Sequence, residues 1–213
     1  VHWCLDCASA LAEAEVEYED KTSPAIDVAF PVVDVADFVA RSGIEASAPA
    51  LVIWTTTPWT LPANRAVAVH PELDYVLLSG EQDGVARELL VAEALADDLV
   101  ARWGLEKVAR SATVTGRKLE MMALQHPFLE AQVPVIFGEH VTTDAGTGLV
   151  HTAPGHGADD FVVGKQYDLD PISPVLDNGL FRDDLPVVGG LHVSKANEPV
   201  IDCLLYTSDA ADD

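Results

Sequence analysis

Two stretches of this chain gather side chains that could act on a bound molecule. The first is WTTTPWTLPAN at residues 54–64, with three successive hydroxyls at Thr55, Thr56 and Thr57, then Trp59 and Asn64. Hydroxyls both donate and accept hydrogen bonds, so such a run can orient a water molecule or a substrate hydroxyl. The second is GTGLVHTAPGHGADD at residues 146–160, which offers His151, His156, Asp159 and Asp160. A carboxylate here could hold a cationic group, and a histidine could exchange a proton near neutral pH. A third, smaller feature is the pair Cys4 and Cys7, whose two-residue spacing is half of a zinc site.

Each feature also has a plainer reading. The Thr run could be a strand entering a Pro-stiffened turn whose hydroxyls cap backbone groups. Asp159 and Asp160 could serve only to stabilise a helix N-terminus. His151 and His156 could be loop or core histidines. Their spacing argues weakly for a metal, because the intervening Ala-Pro-Gly is not helical and no Cys or Glu ligand adjoins. The two cysteines could be reduced thiols near a helix start.

The elements that must position these groups follow from hydrophobic periodicity and turn residues. Strands are expected at 26–33, 51–55, 66–69, 75–78, 88–91, 108–114 and 133–137. Helices are expected at 9–16, 35–42, 93–103 (stopped by Gly104) and 159–167. His70-Pro71-Glu72 and residues 81–84 read as turns, the latter of a hairpin. Residues 180–188 read as loop and strand. Successive strand side chains alternate faces, so the three threonines cannot all point into the core. Pro58 ends regular pairing there and holds Thr57 extended. Short strands at close intervals with three or four helices suggest an α+β domain built on a β-barrel.

With 213 residues, 49% hydrophobic and 22% charged, the chain can bury a sizeable core. A formal net charge of -23 argues against a broad basic nucleic-acid surface, though not against a pocket for the end of an RNA strand. Three cysteines make no disulfide framework. Neither a secretory leader nor an apolar run long enough to cross a membrane is visible. The absence of an initiator Met suggests that the natural chain starts earlier. The last eleven residues, from Cys203 to Asp213, break the preceding pattern and resemble a translated sequencing adapter; they are left out of fold reasoning. The expected division is therefore a lead-in at 1–24 with the half zinc site, a main domain at 25–202, and the tail at 203–213.

The run at 54–64 is similar to the Thr-rich loop in the editing domain of isoleucyl-tRNA synthetases. Valyl and leucyl relatives tend to carry Thr-Arg-Pro there, whereas this chain has Thr57-Pro58-Trp59. The GTG-x-VHTAPGHG-x-DD pattern, the opening segment 1–18, Asp20-Lys-Thr-Ser-Pro24 and His126-Pro-Phe128 resemble the same domain, so the likeness covers most of residues 1–202. It implies the β-barrel-based editing fold of class I synthetases and a cytoplasmic enzyme fragment that hydrolyses mischarged valyl-tRNA(Ile). Asp160 would hold the ammonium group of the amino acid. Thr55, Thr56 and Thr57 would line the pocket and place the attacking water, and Asn64 would support their loop. His151 would stand against the side chain near the terminal ribose; Trp59, His156 and Asp159 are secondary substrate-binding candidates.

The resemblance further implies that editing needs no cofactor. A zinc at Cys4 and Cys7 would be completed by residues elsewhere. The nucleotide motifs His-Ile-Gly-His and Lys-Met-Ser-Lys-Ser are absent, so ATP use would belong to the full-length enzyme only. Its partners would be the acceptor end of tRNA(Ile) and the rest of the synthetase chain, with no membrane. The alternatives are a valyl- or leucyl-type editing domain, a non-catalytic acidic binding module, or an inactive zinc-stabilised fragment.

Overall fold

A computed structural model describes residues 2–5, 7–20 and 22–209. In chain order the elements are β1 (His2–Cys4), β2 (Ser9–Leu11), β3 (Ile26–Pro31), α1 (Val35–Ser42), β4 (Ala50–Thr55), β5 (Ala66–Val69), β6 (Asp74–Gln82), β7 (Val85–Ala92), α2 (Ala96–Trp103), β8 (Glu106–Arg110), β9 (Val114–Thr115), β10 (Ala123–Gln125), β11 (Gln132–Phe137), β12 (Leu149–Thr152), α3 (Ala158–Gln166) and α4 (Asn197–Asp209). Local chemistry explains several boundaries. Asp34 accepts the Asp37 N–H at 3.0 Å to start α1, and Gly43, at φ 73°, ends it. The β6–β7 hairpin turns at Asp83 and Gly84, both at positive φ as a tight two-residue turn demands.

Three sheets form among the described residues. One has the order β3-β4-β7-β6-β8, with β9 also paired to β6; another runs β10-β11-β5-β12; β1 and β2 make a small hairpin. The two large sheets face each other and meet at two seams. The Val32–Leu124 bridge joins the end of β3 to β10, and the Ala92 N–H donates to the Thr147 carbonyl ahead of β12. The space between them holds Phe30, Leu51, Ile53, Val67, Val69, Leu90, Val135 and Leu149.

The outer faces are covered too. Helix α2 places Leu99 over Val52, Val76 and Val91, and α3 places Val163 near Ala66, Ala68 and Ile136. Buried on both sides, β4 and β5 carry near-continuous apolar runs instead of an alternating pattern. The architecture is the expected α+β arrangement with mixed sheets.

Three expectations are corrected. Residues 9–16 are not a helix: Ser9–Leu11 pairs with His2–Cys4, and a short 3-10 turn, Glu13–Glu15, follows. That stretch is Ala- and Glu-rich but offers no apolar face to bury, so propensity alone does not hold a helix there. The strand expected at 108–114 is split after Arg110, because the Ser111 hydroxyl takes the Leu77 N–H that a ladder carbonyl would otherwise accept. Residues 180–188 form a loop touched only by isolated bridges, Val175–Phe181 and Leu180–His192. The structure also adds a helix over Asn197–Asp209, where no element was expected.

Candidate functional site

Strand β4 delivers the Thr run. Leu51, Ile53 and Thr55 share the parity that faces the central core, and Thr55 is buried, whereas Thr56 and Thr57 are exposed. The chain does not continue as an open loop. Pro58–Ala63 winds into a 3-10 helix with Pro58 in its first turn, where its missing N–H costs nothing. The Thr57 N–H donates to Thr55 Oγ1 at 3.1 Å, and the two hydroxyls lie 3.3 Å apart. The Thr57 side chain is thereby fixed at the strand end while remaining open to solvent.

A buried polar chain ties this turn to β12. The Thr60 hydroxyl donates to the Thr57 carbonyl at 2.8 Å, so toward His151 Nε2, 2.9 Å away, it must accept. His151 therefore carries its proton on Nε2. Its Nδ1 accepts from Asn64 Nδ2 at 3.2 Å, and the same amide donates to the Ala66 carbonyl at 2.9 Å. The Ala66 carbonyl fixes the amide's orientation, since a flipped Asn64 would set two acceptors against each other. Both ring nitrogens of His151 are thus occupied within the protein. Burial, with smaller contributions from His156 and His126, pushes its pKa down to about 4, so the ring is neutral at pH 7. This disfavours His151 as a general base and suits a wall or gate.

Asp160 sits in the first turn of α3, behind Gly157. Its Oδ2 accepts the Ala153 N–H at 3.0 Å, two residues beyond His151. The carboxylate is pinned against the end of β12 and does not merely decorate its own helix. Burial raises its pKa, and the Ala153 hydrogen bond acts in the opposite sense. His156 lies edge-on to Trp59, with ring centroids 5.2 Å apart, joining the two segments from another side. The Trp59 N–H donates to Asn197 Oδ1 at 3.0 Å. Asp159 is exposed and diverges from Asp160, lining a groove with Arg117, Phe137, Glu139 and Tyr167.

Among the described residues, the buried side-chain polar atoms without a hydrogen-bond partner are Asn64 Oδ1, His140 Nε2, Thr152 Oγ1 and His156 Nε2. All four belong to the Thr-rich turn or to the segment running from the end of β11 to α3. Buried polar atoms in folded proteins normally find partners, so these four are positions in the candidate segments with hydrogen-bonding capacity to spare.

The structure thus gathers Thr55, Thr57, Trp59, Asn64, His151, His156 and Asp160 around the ends of β4 and β12, with Thr56 exposed alongside. Sequence reasoning missed Thr60, although it lay inside the quoted run; its three-residue spacing from Thr57 is the 3-10 period. It also missed the backbone amide of Ala153 and the reach of Asn197, for which the sequence holds no local signal. At the other end of the chain the Cys7 N–H donates to Cys4 Sγ at 3.4 Å, so the two cysteines share one tight turn. Among the described residues no group of three or more His, Cys, Asp or Glu could hold a metal. None of their helices is long and apolar enough to cross a membrane.

The two facing sheets, the Thr-rich turn and the His-Asp segment define a synthetase editing domain: residues 43–187 match the family described as "Leucyl-tRNA synthetase, editing domain", and the chain belongs to that family. Within it the chain is a homologue of isoleucine--tRNA ligase. It is 92% identical to that of Alcanivorax borkumensis over 204 residues, covering 96% of this chain and 22% of the relative. It is 57% identical to that of Shewanella amazonensis over 203 residues, covering 94% and 22%. The chain therefore spans about a fifth of the length of these relatives. The crystal structure of GlLeuRS-CP1 superposes with a TM-score of 0.68 at 15% identity, covering 87% of this chain and 96% of that one. The P. knowlesi cytosolic leucyl-tRNA synthetase editing domain gives 0.67 at 10%, covering 86% and 93%. Identities this low speak for the fold alone. The isoleucine branch rests on the 92% and 57% relatives, in keeping with Thr57-Pro58-Trp59.

Proposed function

We propose that this chain is an aminoacyl-tRNA deacylase module that hydrolyses valyl-tRNA(Ile). The observation that carries the reading is the hydrogen-bonded chain from the Thr57 carbonyl through Thr60, His151 and Asn64 to the Ala66 carbonyl, which ties the turn bearing the exposed Thr57 hydroxyl to a neutral, immobilised histidine. A synthetic pocket sized for isoleucine gains only about 1–3 kcal/mol from one methylene, a magnitude established on isoleucyl enzymes themselves. A second site that admits valine and excludes isoleucine removes the error by hydrolysis.

In this reading Asp160 Oδ1, the oxygen not engaged by Ala153, takes the ammonium of the valyl group. Its ionised form is favoured once that cation arrives. The Thr57 hydroxyl, with Thr56 beside it, orients water at the ester carbonyl, and Thr55 holds Thr57. Fixed placement of this kind can contribute several kcal/mol to lowering the barrier. His151 limits the space open to the side chain, and Asn64 and Thr60 keep its ring in place. The ribose hydroxyl next to the ester stands near the reacting carbonyl and can assist proton transfer.

The acceptor end of tRNA(Ile) and the remainder of a synthetase are the expected partners, with tRNA affinity supplied largely by that remainder. The editing reaction as proposed uses no cofactor. Cys4 and Cys7 fit one half of a zinc site and would need two further donors from elsewhere. The direct test is deacylation of Val-tRNA(Ile) and Ile-tRNA(Ile). Asp160→Ala is expected to abolish release of valine and Thr57→Ala to weaken it, whereas His151→Ala should begin to release isoleucine. Native-rate hydrolysis by Asp160→Ala would overturn the site, and unchanged discrimination by His151→Ala would remove its gating role.

A further inference from the structure

We infer that His126 is a positioning residue for the editing site, bracing the Thr-rich turn through its Nε2–H on the Leu61 carbonyl. The inference rests on the function proposed above. His126 lies 65 residues along the chain from Leu61, yet one nitrogen of its ring reaches the turn. The residue is 2% exposed. Its own N–H donates to the Ala131 carbonyl at 2.9 Å. Its Nδ1 accepts the N–H groups of Phe128 at 3.3 Å and Leu129 at 3.0 Å, so the proton must be on Nε2. Phe30 and Phe128 pack edge-on against it, with centroids 5.8 and 4.6 Å away. This leaves one polar atom, Nε2, which reaches the Leu61 carbonyl at 3.1 Å.

Leu61 sits mid-way through the 3-10 turn Pro58–Ala63. The same carbonyl also accepts the Asn64 N–H at 2.9 Å. Two histidines therefore bond to one turn, His126 at Leu61 and His151 at Thr60 and Asn64. His126 fixes the backbone acceptor that places Asn64, and the Asn64 side chain holds His151. The ring is held in one tautomer by its local acceptor role at Nδ1, which aims Nε2–H across 65 residues of chain at the turn.

The test separates reach from bulk. In His126→Asn the shorter amide still accepts from Phe128 and Leu129 but falls short of Leu61; in His126→Gln the longer amide restores the donor there. For hydrolysis of Val-tRNA(Ile), His126→Asn is expected to lower kcat about tenfold, with KM changed by less than about twofold. Amide exchange at Thr60 and Asn64 should quicken in the same variant, and His126→Gln should recover both. Unchanged exchange and kcat in a folded His126→Asn would overturn the brace; so would equal losses in the two variants, which would mark a purely structural role. If the wild-type chain hydrolyses no charged tRNA, the proposed activity fails, while the exchange at Thr60 and Asn64 still decides whether the brace exists. Should His126→Asn not fold, the ring nitrogen resonances of the wild-type chain decide: Nε2–H supports the brace and Nδ1–H refutes it.

Discussion

Thr60 spends its hydroxyl twice, donating to the Thr57 carbonyl and accepting from His151. Thr60→Val keeps the shape and removes both bonds, leaving the His151 N–H buried without an acceptor. A loss of about 1–3 kcal/mol is expected, read as a fall in the urea midpoint; an unchanged midpoint would show that Thr60 is not the partner of His151. Asp160 offers the converse case. Burial raises its pKa, so the folded state favours the protonated acid, and the ionised carboxylate costs stability at neutral pH. Asp160→Asn keeps an oxygen for the Ala153 N–H but carries no charge. It should melt at or above the wild-type temperature at pH 7 while losing valine release. Lower stability at pH 7 with activity retained would contradict both halves.

Most strands and three of the four long helices were legible in the sequence, because their turns and caps are local. Asp34, Gly43, Gly104 and Asp83-Gly84 act within a few residues of the elements they bound. What was not legible depended on contacts between distant segments. The pairing that makes Ser9–Leu11 a strand and the Ser111 side chain that splits β8 from β9 are of this kind. The core contacts of α4, through Val200, are another. The site divides the same way: residue types in the Thr run and the His-Asp segment pointed to it, but the Thr60–His151–Asn64 connection needed β12 laid beside the turn. The approach to β12 is tightly specified. Gly148 has φ +78°, and a Cβ there would collide with the Ala92 side chain. Gly148→Ala combines left-handed strain with overpacking, each about 1–3 kcal/mol. A thermal midpoint unaffected by this change would show that the seam between β7 and β12 is looser than described.

The whole molecule should respond to acid through its buried histidines. Burial lowers the pKa of His126 and of His151 from 6.5 to about 4. Each ring stays neutral in the folded state while the unfolded chain takes up a proton. The stability they contribute is complete above about pH 6.5 and is lost as pH falls toward 4, by on the order of 3 kcal/mol per histidine. Urea midpoints measured between pH 7 and 4.5 should fall across that window, and neither ring should titrate above pH 5 by NMR. A ring titrating near 6.5 in the folded chain would remove it from the account. The net charge of -23 adds a second expectation. Few phosphate contacts are available to this domain, so tRNA binding by the isolated chain should be weak and only shallowly dependent on salt. A steep loss of affinity between low and physiological salt would reveal a basic surface that the scattered cations do not suggest.

The bond between Asn197 and the Trp59 amide bears on where this module can be cut. The family match stops at residue 187, and a designer trusting it would end a transplantable unit there. That boundary would discard Asn197, together with Ala196 and Val200, which are fully buried in the central core. Swapping specificity between synthetases by exchanging this domain should therefore carry the donor's chain through at least residue 200. A shorter graft would bring the threonines across without the clamp that holds their turn.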